Sequence, residues 1–368
     1  MLQSALRFGF TTASLFAGGW VLRALQGTPA SLGATPAEIA PVARRSPHFR
    51  DGKFNNLEPP SETTGEVQRA LLRDLANAGG RGKPAKPIPL AEPPTAEIVP
   101  ASTAATWFGH SSVLIEIDGY RVLADPVWSE RCSPSRAVGP QRMHDVPVPL
   151  EALPAVDAVL ISHDHYDHLD IDTVIALGRT QRAPFVVPLG IGAHLRKWGI
   201  PEARIVELDW FESHRIADLT LVCTPARHFS GRLLTRDTTL WASWVMSGPE
   251  HKAFFGGDTG YTKSFAEVGV EFGPFDLTLL PIGAYHPAFS DVHMNPEEAV
   301  RAHLDLAEAG RSLMVPIHWA TFRLAPHPWG EPADRLFSAA ETDKVRIAVP
   351  IPGGRVDPQS TLDPWWRM

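Results

Sequence analysis

The strongest constraint on this chain is a short run of metal-ligating side chains from His163 to His168, in the pattern His-x-His-x-Asp-His. It follows an apolar run over residues 157–161 that predicts a strand. An extended chain points residues two apart to the same side, so His163 and His165 can bind one metal ion. Asp167 and His168 lie where a helix is predicted to begin, so their side chains should point towards a neighbouring ion. Imidazole and carboxylate ligands without a thiolate are typical of a hydrolytic zinc site.

Chance is a weak explanation for this pattern. Given the histidine and acidic content, it would arise by coincidence in roughly 0.3% of such chains. Three more candidate ligands, His228, Asp258 and His318, each lie just beyond another apolar run. Functional residues gather at strand ends because loops there can converge while the sheets stay rigid. Four separate strand-end segments therefore predict a single metal centre.

Local signals also define several elements. Residues 112–117 and 120–124 are predicted to pair as a hairpin around Asp118-Gly119. Asn295-Pro296 predicts a helix start, with an N-cap and a proline at the first helical position. Gly310 is expected to end that helix as its C′ glycine. Apolar runs alternate with helical stretches across the rest of the chain, which favours an α/β sandwich of two sheets flanked by helices.

The motif resembles the signature of the metallo-β-lactamase superfamily, and much of the chain resembles its N-acylphosphatidylethanolamine-hydrolysing phospholipase D family. The resemblance extends from about residue 106 to about residue 322. The matching stretches are Trp107-Phe108-Gly109-His110, Asp125-Pro126, Ser133-Pro134-Ser135, residues 160–169, Glu207-Leu208-Asp209-Trp210, Thr224-Pro225-Ala226-Arg227-His228, Gly257-Asp258-Thr259-Gly260-Tyr261, Phe275-Asp276, Pro281-Ile282-Gly283-Ala284-Tyr285, Pro296-Glu297-Glu298-Ala299-Val300 and Ile317-His318-Trp319.

The resemblance implies a fold and a ligand set. The fold would be an αββα sandwich of two mixed sheets flanked by helices. There would be two zinc ions per chain. One ion would be held by His163, His165 and His228. The other would be held by Asp167, His168 and His318, with Asp258 bridging the pair as a catalytic ligand.

Three further histidines are open to more than one interpretation. The family has a histidine near the substrate phosphate at the position of His293, which makes that residue a catalytic candidate; a local cap or a surface imidazole is the alternative. His286 stands where the family carries an acidic residue, so its role is open. His110 would support the metal ligands through a hydrogen bond or serve a structural role.

The composition of the chain limits the kinds of partner and of covalent cross-link that we expect. The net charge of −7 argues against a nucleic-acid partner. The two cysteines, Cys132 and Cys223, are too few for a disulfide framework.

Residues 8–22 are uncharged and apolar and follow Arg7, which predicts a signal or membrane anchor within residues 1–30, with a buried or amphipathic helix as the alternative. A membrane-associated or exported, periplasmic location is expected, and a cytoplasmic one stays open.

The expected organisation has four parts. Residues 1–30 form the anchor or signal, and residues 31–104 are a proline-rich arm or linker. Residues 105–355 form the hydrolase domain, and residues 356–368 form a tail. A short helix is predicted over residues 65–77 of the arm.

The leading functional hypothesis is a two-zinc phosphodiesterase of the phospholipase D type. Its substrate would be an N-acylphosphatidylethanolamine-like phospholipid, cleaved to N-acylethanolamine and phosphatidate at a membrane surface. The alternative is a hydrolase of the same fold that acts on a soluble lactone or phosphorylated metabolite. A third hypothesis is a zinc-containing binding protein that has lost catalysis. The sequence leaves a homodimer open.

Overall fold

The computed structural model describes residues 24–25, 27–92, 100–232, 235–308 and 310–368, and its strands follow the apolar runs of the sequence. The described strands, in chain order, are β1 (Phe49–Arg50), β2 (Lys53–Phe54), β3 (Thr103–Gly109), β4 (Ser112–Ile117), β5 (Tyr120–Ala124), β6 (Ala158–Leu160), β7 (Phe185–Pro188), β8 (Ile205–Leu208), β9 (Ser213–Ile216), β10 (Leu219–Thr224), β11 (Ser243–Ser247), β12 (Lys252–Phe255), β13 (Leu277–Pro281), β14 (Leu313–Ile317), β15 (Arg346–Ile347) and β16 (Arg355–Val356). The described helices are α1 (Thr28–Ser31), α2 (Pro36–Ala43), α3 (Gly65–Asn77), α4 (Ile171–Thr180), α5 (Ile191–Lys197), α6 (Ser264–Phe272), α7 (Pro296–Leu306) and α8 (Glu331–Asp343).

Two mixed sheets of seven strands form the centre of the fold. The first has the order β16-β3-β4-β5-β6-β7-β8, and the second has the order β15-β14-β13-β12-β11-β10-β9. In each sheet one half is antiparallel and the other is parallel. The two mixed sheets with flanking helices confirm the expected αββα architecture.

The alternation of side chains along β4 shows how the first sheet is covered on both faces. Val113 and Ile115 pack in the larger core, which also contains Leu221 and Val245 of the second sheet. Leu114, between them, points to the opposite face and joins the smaller core beneath α4 and α5. Every residue of β4 is buried, as expected for a strand between two apolar layers.

The local predictions are confirmed at the hairpin and at one helix start. Ile117 pairs with Tyr120, and both Asp118 and Gly119 have positive φ, as a two-residue I′ turn requires. Asn295 caps α7 by accepting a hydrogen bond from the Glu298 backbone N–H. The prediction that Gly310 ends this helix is wrong. The helix ends at Leu306, with Ala307 as its extended C-cap.

The proline-rich arm contains α2, the β1–β2 hairpin and α3, the last with the predicted bounds, and α1 leads into it. Helix α1 and the start of the arm lie against α5, where Trp198 Nε1 donates to the Ala30 carbonyl and the Ala34 N–H donates to His194 Nδ1. At the other end of the chain, the expected boundary after residue 355 falls inside β16, which pairs with β3. Trp365 and Trp366, further on, are buried in the larger core.

The expectation of a membrane anchor and of a membrane-associated or exported protein is corrected. Among the residues that the structure describes, no helix has both the length and the apolar character needed to cross a membrane. The apolar run at residues 8–22, which prompted the expectation, lies outside those described residues.

Candidate metal centre

Four strand-end loops meet at one edge of the sandwich. Since β10 and β12 are both antiparallel to β11, and β12 is parallel to β13 and β14, the loops after β10, β12 and β14 leave the second sheet on the same side. They carry His228, Asp258 and His318. The loop after β6 brings the His163–His168 motif from the first sheet. Each predicted ligand is therefore delivered by a strand of a rigid sheet.

Close approach of two of these loops depends on Gly257, which has a φ of +58°. A Cβ at this position would lie 2.5 Å from the Cβ of Ser162. A larger residue would push the Asp258 loop away from the histidine motif.

His163, His165 and His228 form the first group of candidate ligands. His163 Nε2 lies 2.8 Å from His165 Nδ1, and His228 Nε2 lies 3.3 Å from the same atom. All three nitrogens fall within 4.8 Å of one another. Burial and the neighbouring imidazoles hold the pKa of His163 and the pKa of His228 well below the usual histidine range. Their rings are therefore neutral and can offer lone pairs.

The second group contains Asp167, His168 and His318, and the structure adds His110 to it. Asp167 Oδ2 lies 3.5 Å from His168 Nε2 and 3.4 Å from His318 Nε2. The same oxygen is 2.9 Å from His110 Nε2. His110 therefore orients a predicted ligand, in line with the supporting interpretation of that residue.

Asp258 lies between the two groups. Its Oδ2 atom is 3.9 Å from His163 Nε2 and 3.8 Å from His228 Nε2. It is also 3.2 Å from His168 Nε2 and 2.9 Å from His318 Nε2. One carboxylate oxygen therefore faces nitrogens of both groups, as the bridging role requires.

The charges and the unpaired atoms fit bound cations. His168 Nε2, His318 Nε2 and Asp258 Oδ1 are buried and make no hydrogen bond to any residue that the structure describes, and such groups are costly to leave unpaired. Although burial would raise the pKa of Asp258, the charges on His168 and His318 hold it well below its usual range. Although burial would lower the pKa of His318, Asp258 and Asp167 raise it to about 9. A cation could replace such protons, since metal ligands bind in their deprotonated forms.

A layer of hydrogen bonds behind the ligands fixes their rings. His163 Nδ1 lies 2.9 Å from Ser162 Oγ, and His228 Nδ1 lies 2.9 Å from the Val292 carbonyl. His168 Nδ1 lies 2.7 Å from Asp125 Oδ2. In each case Nδ1 is occupied and Nε2 is turned to the centre, which is the usual arrangement around a protein-bound metal.

Asp125 is a site residue to which sequence reasoning assigned no role. It is fully buried and accepts the Ser162 N–H at 2.7 Å and the Ser162 hydroxyl at 2.6 Å, in addition to its contact with His168. Its position directly after β5 matched the strand-end rule that identified the ligands. Asp125, His110 and His318 all have positive φ, a strained backbone conformation that concentrates at functional sites.

We expect Asp125→Asn to weaken metal binding by about 10- to 100-fold, the usual cost of losing an outer hydrogen-bond partner. The asparagine amide would turn an N–H₂ donor towards groups that themselves donate. Chelator competition measures the affinity, and thermal unfolding checks the fold. Asp172→Asn is the matched control, because Asp172 pairs with Arg136 at the surface. Unchanged affinity in Asp125→Asn would contradict the supporting role.

The structure places the other two histidines, His293 and His286, in different surroundings. His293 lies beside the ligands, with Nδ1 at 3.9 Å from Asp258 Oδ2 and its ring 5.1 Å from that of His318. Its Nδ1 is buried and has no hydrogen-bond partner among the described residues, and burial lowers its pKa to about 4. His286 Nε2 lies 3.3 Å from Asp74 Oδ2, and His286 belongs to none of the candidate ligand groups among the described residues.

A cavity of about 580 Å³ opens next to His293. Tyr285, His286 and His327 form part of its wall, and Arg335 lies over the Tyr285 ring at 4.7 Å. The cavity also contains carboxylates from α3, α7 and α8. It gives a substrate room beside the candidate metal centre and presents charges of both signs to it.

Comparison with known proteins agrees with this fold. A family model for the beta-lactamase superfamily domain matches residues 120–319. An uncharacterized protein of Mycobacterium tuberculosis is 62% identical over the full length of both chains. N-acyl-phosphatidylethanolamine-hydrolyzing phospholipase D 1 of Caenorhabditis elegans is 38% identical over 245 residues, which are 63% of this chain and 68% of that protein.

Among solved structures, the fold is similar to that of Igni18, a metallo hydrolase from Ignicoccus hospitalis. The TM-score is 0.53 at 24% identity, over 69% of this chain and 97% of Igni18. The chain therefore belongs to the metallo-β-lactamase superfamily and is a metal-dependent hydrolase of that fold, with an N-acyl-phosphatidylethanolamine-hydrolysing phospholipase D among its homologues.

Proposed function

We propose that the protein is a two-zinc phosphodiesterase of the phospholipase D type. It would hydrolyse N-acylphosphatidylethanolamine-like lipids to an N-acylethanolamine and phosphatidate. The observation that carries the proposal is Asp258 Oδ2, which lies within 3.9 Å of ring nitrogens from both ligand groups. The substrate class is supported by the Caenorhabditis elegans relative.

The two ligand groups would hold one ion each. His163, His165 and His228 would hold the first, and Asp167, His168 and His318 would hold the second, with Asp258 shared between them. When bound, such a pair lowers the pKa of water towards neutrality and offsets negative charge on phosphoryl oxygens. Nitrogen and oxygen donors without sulfur suit zinc, with manganese and iron as competitors.

His293 would bind the phosphoryl group of the substrate. It lies between Asp258 and the cavity, and its buried Nδ1 has no hydrogen bond within the described part of the chain. Because burial lowers its pKa to about 4, the ring is neutral at pH 7 and carries one N–H. A neutral imidazole can donate a hydrogen bond to a phosphoryl oxygen, but its N–H is too weak an acid to protonate the leaving alkoxide readily. Phosphate binding is therefore favoured over leaving-group protonation.

The polar cavity favours a second candidate function, the hydrolysis of a soluble phosphorylated metabolite or lactone. Its walls carry Asp74, Glu331 and Arg335 beside Tyr285. Burying an acyl chain against ionised groups gains little, because those groups lose hydration. A small polar alcohol or lactone would suit the same walls better.

The test compares substrates on zinc-loaded protein. N-acylphosphatidylethanolamine in detergent micelles is set against bis(p-nitrophenyl) phosphate and a simple acyl lactone. We expect kcat/KM for the lipid to exceed that for the soluble diester by about 10²-fold, because only the lipid makes contacts remote from the phosphoryl group. Preference for the soluble diester or the lactone would overturn the lipid assignment and support the second candidate. Zinc binding without turnover of any of the three would indicate a binding protein.

A further inference from the structure

The backbone of the candidate ligand His228 is held by a residue of the proline-rich arm. Asn56 Nδ2 donates to the His228 carbonyl at 2.8 Å, and the His228 N–H donates to Asn56 Oδ1 at 3.1 Å. The oxygen of Asn56 also accepts from Trp241 Nε1 at 3.0 Å. Two residues 172 positions apart in the chain are thus joined by two hydrogen bonds, one donated by each residue.

The same part of the arm holds the loop that carries His293. Ser61 donates to the Asp291 carboxylate through its N–H and its hydroxyl, each at 2.6 Å. Arg227, next to His228, contacts Asp291 at 2.8 Å and donates to the Pro59 carbonyl at 2.9 Å. The arm segment, residues 54–61, is therefore bonded to both loops.

This arrangement matters because His228 lies beyond the end of β10, and its own backbone N–H and C=O bond to Asn56 instead of to a strand. Its ring is oriented by the Val292 carbonyl at 2.9 Å, and Val292 belongs to the second loop that the arm segment holds. Without Asn56, the buried N–H and C=O of His228 would lose these partners, and the loop could settle in other conformations. The ring nitrogen facing the other ligands would then be poorly placed.

We propose that the arm segment completes the metal centre and that Asn56 is a positioning residue for His228. The inference rests on the proposed metal-binding role of His228. It assigns to the arm a part in the site that neither its linker-like composition nor the metal motif indicates. The arm would be required for binding of the first ion by His163, His165 and His228, and much less for the second.

The test measures metal binding by full-length variants. Asn56→Ala removes both hydrogen bonds to His228 and the one from Trp241, whereas Asn56→Asp keeps the acceptor and loses the donor. Asn55→Ala is the matched control, since the Asn55 side chain bonds to the His48 and Lys53 carbonyls within the arm itself. Stepwise Co²⁺ titration, followed by the visible absorption of the bound ion, and zinc content after dialysis against a chelator report the two ions separately. Thermal unfolding of the metal-free forms monitors the fold.

We expect Asn56→Ala to weaken one of the two binding steps by about 10- to 100-fold, the scale found for outer-layer partners. In Asn56→Ala the other binding step should match that of the wild type. The cobalt spectrum of Asn55→Ala should also match the wild type, and the affinity of Asn56→Asp should lie between those of Asn56→Ala and the wild type. Equal affinities in Asn56→Ala and wild type would overturn the proposal. So would equal weakening of both steps, which would indicate a general loss of structure. Substrate turnover has no part in these readouts, so a wrong substrate assignment would leave this test intact.

Discussion

Asp258→Asn should leave the protein folded but with about one metal ion per chain instead of two, and turnover should fall by at least about 10³-fold. The shared carboxylate oxygen lies 2.9 Å from His318 Nε2 and 3.8 Å from His228 Nε2. Two dications held about 4 Å apart repel each other strongly. The negative charge between them offsets that repulsion, and a neutral amide of the same shape does not.

Elemental analysis after dialysis measures the metal, and circular dichroism with thermal unfolding checks the fold. Asp218→Asn is the matched control, because this exposed carboxylate pairs with Arg215 at the surface. Two retained ions with wild-type turnover in Asp258→Asn would remove the bridging role. Loss of both ions together with the fold would indicate a structural role for the carboxylate.

His293→Ala should lower turnover by roughly 10²-fold or more while leaving metal content unchanged, since that is the usual cost of losing one hydrogen-bond donor to the charge that develops in the transition state. The ring borders both Asp258 and the cavity and belongs to neither of the two proposed ligand groups. A hydrogen bond to the phosphoryl group of bound substrate would raise KM as well as lower kcat. Proton donation to the leaving group alone would lower kcat with little change in KM.

The control is His214→Ala, on the edge strand β9 of the second sheet. Metal loss in His293→Ala would make this residue a ligand, because its nitrogen also lies within reach of Asp258 and His318. Wild-type turnover would remove His293 from the reaction and leave the chemistry to the metal centre.

The location of the protein and the nature of its substrate are separate questions. Among the described residues, no helix is long and apolar enough to cross a membrane. The mixed charges at the cavity provide polar contacts beside His293. The turnover of the lipid, compared with that of the soluble diester and the lactone, therefore tests the function more directly than the location of the protein does.

The sequence by itself determined the features that depend on neighbours along the chain. The Asp118-Gly119 turn joins strands with the predicted bounds, since its two positive φ values are set within the turn. Asn295 caps a helix that begins one residue later, because a cap bonds to a backbone N–H three residues on. The prediction that Gly310 ends this helix failed because a glycine permits a helix to end but does not require it. The helix ends earlier, at Leu306.

Only the tertiary structure decided which of these local features meet. The strand-end rule and the family resemblance named His163, His228, Asp258 and His318, but their distances follow from strand order and register in two different sheets. Asp125 carried the same strand-end signal, yet its bond to His168 exists only because β5 and β6 are neighbours. Asn56 gave no signal at all. Hydrogen bonds across 172 residues depend on how the whole chain packs, and no local pattern encodes them.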